Sequence, residues 1–244
     1  MKAALVLGGY FDSTKDSSSK GFDGFQHIKK NILEKIETDV FIHSWQPEIK
    51  NTLVDLYNPK SIISETQIDF SHILSERNLY QKNLSFYENM GRLNSDRFSH
   101  LYSFSKAFEL VRNYEKKVEK DYDIVIKGRF DLGRINRNTS IEFPVQCINF
   151  DKDLDMSKIY FAYWNQLEYG PADMWWYSNS INMRKFANLY NKSLNDYWYI
   201  GSNFYNNFSD DQKFQIFNIH CVLKQFLIDN DLWEKSSYLK TIWE

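Results

Sequence analysis

The sequence predicts an α/β fold built on a mostly parallel sheet with helices on both faces. Three observations carry that prediction. The runs Ala3-Ala-Leu-Val-Leu7, Asp39-Val-Phe-Ile-His43 and Asp123-Ile-Val-Ile-Lys127 are short and apolar without polar alternation, as strands covered on both faces are. Helical patterns separate them, so strand and helix alternate along the first half of the chain. The third run then drives directly into charge, as Lys127-Gly-Arg-Phe-Asp131. In parallel sheets the carboxyl ends of the strands border the ligand crevice, which places Lys127, Arg129 and Asp131 where chemistry is usually done.

Each element follows in order. The first strand, Ala3 to Leu7, breaks at Gly8-Gly9 into a polar loop with Ser13, Thr14, Asp16 and a run of serines. Asp23, with Gln26 three residues later, reads as a capping box, and Phe25, Ile28, Ile32, Leu33 and Ile36 form the apolar stripe of the helix behind it. Asp39 to His43 is the second strand. Pro47 opens a short helix with Ile49, Leu53 and Leu56 inward, and Asn58-Pro59 stops it before a third strand at Ser61 to Ile63. From Asp69 to Asn94 the period weakens into helix and loop. Ser95 or Asp96 caps the strongest helix, whose buried side runs Phe98, Leu101, Tyr102, Ser105, Phe108, Leu110, Val111 and Tyr114 before the charge run Glu115 to Lys120. The fourth strand follows at Asp123. Beyond it come a loop at Asn136-Arg-Asn-Thr139, strand candidates at Gln146 to Phe150 and Lys158 to Tyr163, and a turn at Gly170-Pro171. An aromatic strand from Asp173 to Ser178, a helix from Asn179 to Tyr190 and a last amphipathic helix from Ile219 to Ile228 complete the pattern.

At 244 residues the chain is long enough for one domain with a full core, and no linker or repeat divides it. Charged residues make up 25% with a net charge of −2, so no global field recruits nucleic acid, and any anion must be bound locally. Cys147 and Cys221 lack metal-ligand spacing and suggest a reducing compartment. The short apolar run at the start is too brief for a signal peptide, and no stretch is long enough to span a bilayer. The expectation is a cytoplasmic protein, with any membrane association peripheral and at the inner face.

Period-two alternation through Asp131 would set Lys127, Arg129 and Asp131 on one side, with Ile126, Gly128 and Phe130 on the other. Two cations and a carboxylate facing one space suit an anionic ligand bridged by a divalent metal; the alternative is an Arg129–Asp131 ion pair capping a strand. The Gly8-Gly9 turn lacks the third glycine of a dinucleotide fingerprint and the Gly-Lys-Ser/Thr of a phosphate-cradling loop, but its place suits a base or ribose. His43 ends the second strand and points at the same crevice, where it would stack on a base or bind a hydroxyl, or be a satisfied strand-end histidine. His220 reads as a late metal ligand or as a half-buried histidine at a helix start. Asp173, between a turn and an aromatic strand, is a candidate proton acceptor whose pKa surrounding rings would raise, or a turn cap. Trp175 and Trp176 beside it suggest a sugar platform or core packing, within an aromatic content of 17%.

Together, Asp39-Val-Phe-Ile-His-Ser-Trp45, Tyr122-Asp-Ile-Val-Ile-Lys-Gly-Arg-Phe-Asp-Leu132 and Asp173-Met-Trp-Trp-Tyr-Ser178 resemble, in order and spacing, the glycosyltransferase-like proteins of bacterial capsule and lipopolysaccharide loci and their relatives in large viruses. The resemblance covers most of the chain and implies a GT-A-type, Rossmann-like fold: a single domain over residues 1–244, with a nucleotide-binding half (1–132) and an aromatic-rich acceptor-binding half (133–244). It implies transfer of a sugar from a nucleotide-sugar donor to a hydroxyl of a glycan or lipid-linked glycan. Such enzymes usually hold the donor diphosphate through Mn2+ or Mg2+ on an Asp-x-Asp motif. Here the matching place reads Arg129-Phe130-Asp131, which leaves Asp131 as the one metal ligand and Lys127 and Arg129 to help neutralise the diphosphate. By the same resemblance Gly8, Gly9 and Tyr10 border the nucleotide, His43 lies nearby, Lys106 reaches the donor phosphates, and Asp173 serves the acceptor. A non-catalytic carbohydrate-binding or assembly protein, and a sugar nucleotidyltransferase, are the alternatives.

Overall fold

The computed structural model describes residues 1–11, 20–76, 95–133, 146–164, 169–199, 201–209, 212 and 218–240. Their strands are β1 (Ala3–Gly9), β2 (Thr38–Ser44), β3 (Ser61–Ser64), β4 (Ile124–Gly128), β5 (Ile159–Ala162), β6 (Trp176–Ser178) and β7 (Ser236–Leu239). They form a single mixed sheet in the order β3-β2-β1-β4-β6-β5-β7. β1 pairs in parallel with both β2 and β4, β2 in parallel with β3, and β5 in parallel with β7. β6 runs antiparallel to both of its neighbours. The predicted α/β class with a mostly parallel sheet is therefore present.

Strand alternation divides the interior into two cores. Ala4, Val6, Phe41, Val125, Phe161 and Trp176 face one way, beneath α4 (Ser95–Val118) and the C-terminal helices. Ala3, Leu5, Leu7, Val40, Ile42, Ile124, Ile126 and Tyr177 face the other, beneath α1 (Lys20–Ile28) and α2 (Lys50–Tyr57). With both faces covered, the strands had to be apolar at every position, and that is how they were written. α2 ends where Asn58 takes a left-handed φ of 44°, a conformation asparagine tolerates, and Pro59 prevents its continuation. A short α3 (Ser71–Glu76) follows β3.

Three expectations need correction. Asp23 is no cap, because α1 already runs from Lys20 and Asp23 lies inside it. Gln146 to Phe150 is not a strand: Ile148 and Phe150 are buried, but the Ile148 amide donates to His27 Nε2 at 3.1 Å and Tyr177 Oη donates to the Asn149 carbonyl at 3.0 Å. Side chains supply the partners a ladder would have given. The helix predicted from Asn179 to Tyr190 is capped by Asn179 as its start implies, but it changes pitch. A single turn, α5 (Ser180–Met183), passes through a 3-10 segment into α6 (Leu189–Lys192) and then a π-turn at Ser193–Tyr197. The cause is Ser105 of α4, whose hydroxyl accepts from the Tyr190 amide at 3.0 Å and donates to the Phe186 carbonyl at 3.4 Å, inserting itself where the helix's own bond would be. α7 (Asn203–Asn206) and β7 had no sequence counterpart, while the last helix, α8 (Ile219–Asp229), starts at the expected residue. The loop at Asn136-Arg-Asn-Thr139, most of Asp69 to Asn94 and the polar loop with Ser13, Thr14 and Asp16 lie outside the described residues.

Candidate functional site

The sheet's strand order reverses between β1 and β4. From β1 the chain moves outward through α1 to β2; β4 is reached from β3 through α4, on the opposite face. Such a switch point opens a crevice at the carboxyl ends of the two central strands. Parallel register with Leu7 opposite Gly128 brings the Gly8-Gly9 turn alongside Arg129. The glycine turn and the charged exit of β4 therefore leave the sheet side by side. β6 enters the sheet in reverse, so Asp173, just before it, arrives at this edge too.

Lys127 and Arg129 face α4, while Gly128 and Phe130 face the other core, as alternation requires. The extended chain ends at Arg129, where a turn begins, and Asp131 is held on the Arg129 side by that guanidinium. Nε and Nη2 donate to the two Asp131 oxygens at 2.9 Å each, and Nη1 lies 3.5 Å from Asp173 Oδ2. His100 of α4 completes the group, with Nε2 3.3 Å from the same Asp173 oxygen. The Arg129–Asp131 pair weighed from the sequence is thus formed, and it extends to Asp173. Both carboxylates keep an exposed fraction, 24% for Asp131 and 17% for Asp173, so their remaining lone pairs stay accessible.

Electrostatics within the cluster are strongly coupled. Burial pushes the Asp173 carboxyl up, but Arg129, His100, Lys127 and His220 together outweigh it and hold the pKa well below the usual carboxylate range. Asp131 is likewise lowered, since the Arg129 charge and hydrogen bonds overcome its burial. Burial lowers the guanidinium of Arg129, but Asp131 and Asp173 raise it further above its ordinary value. The His100 imidazole goes down to about 3, chiefly through burial and with Lys127 and Arg129 adding, so it is neutral at pH 7. These directions overturn the expectation that rings around Asp173 raise its pKa. Asp173 is an ionised hydrogen-bond acceptor, poorly suited to storing a proton.

Other expected site residues are placed differently. Lys127 is fully buried: Nζ donates to the carbonyls of Asp173 and Met174 and sits 3.9 Å and 4.4 Å from the ring centroids of Phe104 and Trp176. Burial drives its pKa well down, with Asp173 opposing. It positions Asp173 from beneath and does not reach into the crevice. His43 is also fully buried, between Ser103 Oγ at 2.8 Å and Glu65 Oε1 at 3.0 Å, and edge-on to Trp45. Burial lowers its pKa despite Glu65. No face of the ring is free for a base to stack on. Lys106 belongs to that second group, pairing with Glu109 at 3.2 Å beside Tyr102 and contributing to the potential at His43. Gly8 sits where α4 crosses the strand; an added Cβ would lie 3.0 Å from Ser103 Oγ and 3.1 Å from the Phe104 ring. Gly9, at φ 107°, turns the chain outward with open space around it. Tyr10 is exposed and donates to Gln67 Oε1.

Trp175 and Trp176 are buried, one in each core, and offer no platform to a sugar. Trp164 packs on the histidine that starts α8. Its ring lies 4.3 Å from His220, whose Nδ1 is 2.9 Å from the Pro171 carbonyl. His220 is the half-buried helix-start histidine, yet it has come back to within electrostatic reach of Asp173. Sequence reasoning did not find His100 or Glu65. Phe104, four residues on, shares the helix face of His100 and was the one local signal.

The donor set does not fit the divalent cation expected on Asp131. Both oxygens of that carboxylate are forked by a guanidinium, and Arg129 would stand beside the ion as a like charge. Among the described residues no helix is long and apolar enough to cross a membrane. No protein-family model matches the chain, and no curated protein matches it.

Proposed function

We propose that the protein is a GT-A-type glycosyltransferase, moving a sugar from a nucleotide-sugar donor to a hydroxyl of a surface glycan or lipid-linked glycan. The observation that carries this reading is the Arg129–Asp131–Asp173 cluster, mostly buried but still in part exposed at the switch point of a mostly parallel sheet. Two carboxylates whose pKa values their cationic neighbours lower are strong acceptors for ribose or sugar hydroxyls. Among the described residues nothing lies within 4 Å of a Cβ built on Gly9, so that turn does not obstruct a nucleotide beside them.

In such a transfer the acceptor oxygen bonds to the anomeric carbon while the bond to the diphosphate breaks, and the nucleoside diphosphate leaves with the electron pair and takes up the proton the hydroxyl gives off, directly or through water. Negative charge grows on the departing group, and Arg129 is the cation at hand to meet it. Asp173 orients the acceptor hydroxyl as an ionised hydrogen-bond acceptor. Lys127 holds the Asp173 backbone in place, His100 packs beside its carboxylate, and no step is routed through a metal. A purely carbohydrate-binding role loses its main support with the burial of Trp175 and Trp176.

The test is a panel of nucleoside diphosphates and nucleotide sugars, followed by thermal shift and by nucleotide release, with EDTA in a parallel series. Selective stabilisation by one nucleoside diphosphate is expected, persisting in EDTA and lost in Asp131→Ala. Stabilisation by glycans alone, with no response to any nucleotide, would overturn the reading.

A further inference from the structure

Sugar transfer to a hydroxyl releases a proton, and Asp173, held ionised by its cationic neighbours, is a poor place to put it. A histidine stands close by on another part of the chain. β4 and β5 both run antiparallel to β6, so they leave the sheet at the edge where β6 enters. Trp164, just beyond β5, and Asp173, just before β6, therefore share one edge of the sheet, and α8 brings His220 to it. We propose that His220 is the general base of the transfer, accepting the proton of the acceptor hydroxyl at Nε2; this role rests on the transferase reading.

The ring is held by its other nitrogen. Nδ1 lies 2.9 Å from the Pro171 carbonyl, and a carbonyl can only accept, so Nδ1 carries the hydrogen and the neutral ring keeps its lone pair at Nε2. Among the described residues Nε2 has no hydrogen-bond partner, and His220 is only half-buried, so that lone pair is not committed within the protein.

The surroundings fix the ring from three sides. Trp164 packs 4.3 Å from the imidazole and donates from Nε1 to the Gly170 carbonyl at 2.7 Å. Gly170, at φ 105°, approaches α8 so closely that a Cβ there would lie 2.1 Å from the His220 carbonyl oxygen. Asn218 caps the helix by accepting from the His220 amide at 3.0 Å. The charged groups facing the ring are Asp173, from the start of β6, and Lys224, one turn further along α8 and also against Gly170; Arg129, His100 and Lys127 act on the same Asp173 carboxylate. In the transfer, the acceptor oxygen bonds to the anomeric carbon as its proton passes to Nε2. The bond to the diphosphate breaks with its electron pair on the leaving group, Asp173 supplies a negative charge to the imidazolium, and the imidazolium returns the proton through water to the departing diphosphate.

The test follows nucleoside diphosphate release from UDP-glucose, GDP-mannose and dTDP-glucose, with water and a panel of methyl glycosides as acceptors. His220→Asn places an amide donor near the position of Nδ1, so the bond to Pro171 is kept while the base is removed; circular dichroism confirms that the variant is folded. Release is expected to fall about hundredfold, with donor affinity by calorimetry unchanged and with loss of the rise in rate with pH that the wild type shows. In His220→Ala, added imidazole is expected to restore part of the release. Wild-type release in His220→Asn, an unaltered pH profile, or a rate loss matched by an equal loss of donor affinity overturns the base and leaves the transferase reading standing. Absence of release from every donor overturns the transferase reading, and the base falls with it.

Discussion

Arg129 orders the crevice, because its fork fixes Asp131 while its remaining nitrogen reaches toward Asp173. Removing Arg129 leaves Asp131 partly buried without its cation, and removing Asp131 leaves Arg129 only its longer contact with Asp173, so Arg129→Ala and Asp131→Ala are each expected to cost about 2 kcal/mol in urea unfolding. The double variant should cost less than their sum by about 1 kcal/mol, and strict additivity would show that the two side chains are not energetically coupled. Arg129→Lys tests geometry apart from charge: an ammonium cannot fork, and it should lose nucleotide-dependent stabilisation even though the charge is kept. His100 works differently. It is neutral, and its Nε2 meets Asp173 at 3.3 Å out of hydrogen-bond alignment, so His100→Asn should change the pH profile of stability more than stability at pH 7.

At the scale of elements, α1 is locked against the turn that carries Asp131. A Cβ built on Gly24 would lie 1.7 Å from the Phe130 carbonyl oxygen, which is backbone and cannot swing aside. Gly24→Ala must therefore displace either α1 or the Phe130 turn, and is expected to cost about 3 kcal/mol by denaturant unfolding. Nucleotide binding should fall in parallel, although Gly24 touches nothing in the crevice. Residue 24 was unremarkable in the sequence, where only the helical stripe around it could be read. The first four strands were legible because burial on both faces writes itself as an unbroken apolar run. Arg129 was legible because alternation fixes the side on which a residue falls; Asp131 lies beyond the extended chain and comes to the same side through the Arg129 fork instead. The break after Met183 was not, since its cause is Ser105, 85 residues away from Tyr190 along the chain. The burial of His43 and Lys127 was equally hidden: a polar residue at a strand's end looks the same in sequence whether a helix covers it or solvent does. Trp175 and Trp176 misled for the same reason.

For the molecule as a whole, three histidines are held neutral in the folded state. The pKa of His27 is lowered to about 4 by burial, that of His100 to about 3, and that of His43 is lowered as well. A depressed histidine pKa means the unfolded chain binds protons first as pH drops, so stability is present above the unfolded value of 6.5 and is lost progressively below it. Each histidine contributes a slope of up to about 1.4 kcal/mol per pH unit in that window. Chemical denaturation across pH 7 to 4 should show a steep fall, shallower by about one proton in His100→Asn; a flat profile would mean the imidazoles titrate freely in the fold. The carboxylates Asp131 and Asp173 add a later loss, below their ordinary value of 3.8. The order of the sheet has one more effect, on biosynthesis. Ile159-Tyr-Phe-Ala162 has β6 on one side and depends for its other side on Ser236–Leu239, so a ribosome must add more than seventy further residues before that apolar ribbon is closed. Nascent chains halted before Ser236 would carry a sticky, unpaired margin, and their clumping, measured by light scattering against chains that extend past Leu239, is the cost of drawing a strand's partner from so far along the chain.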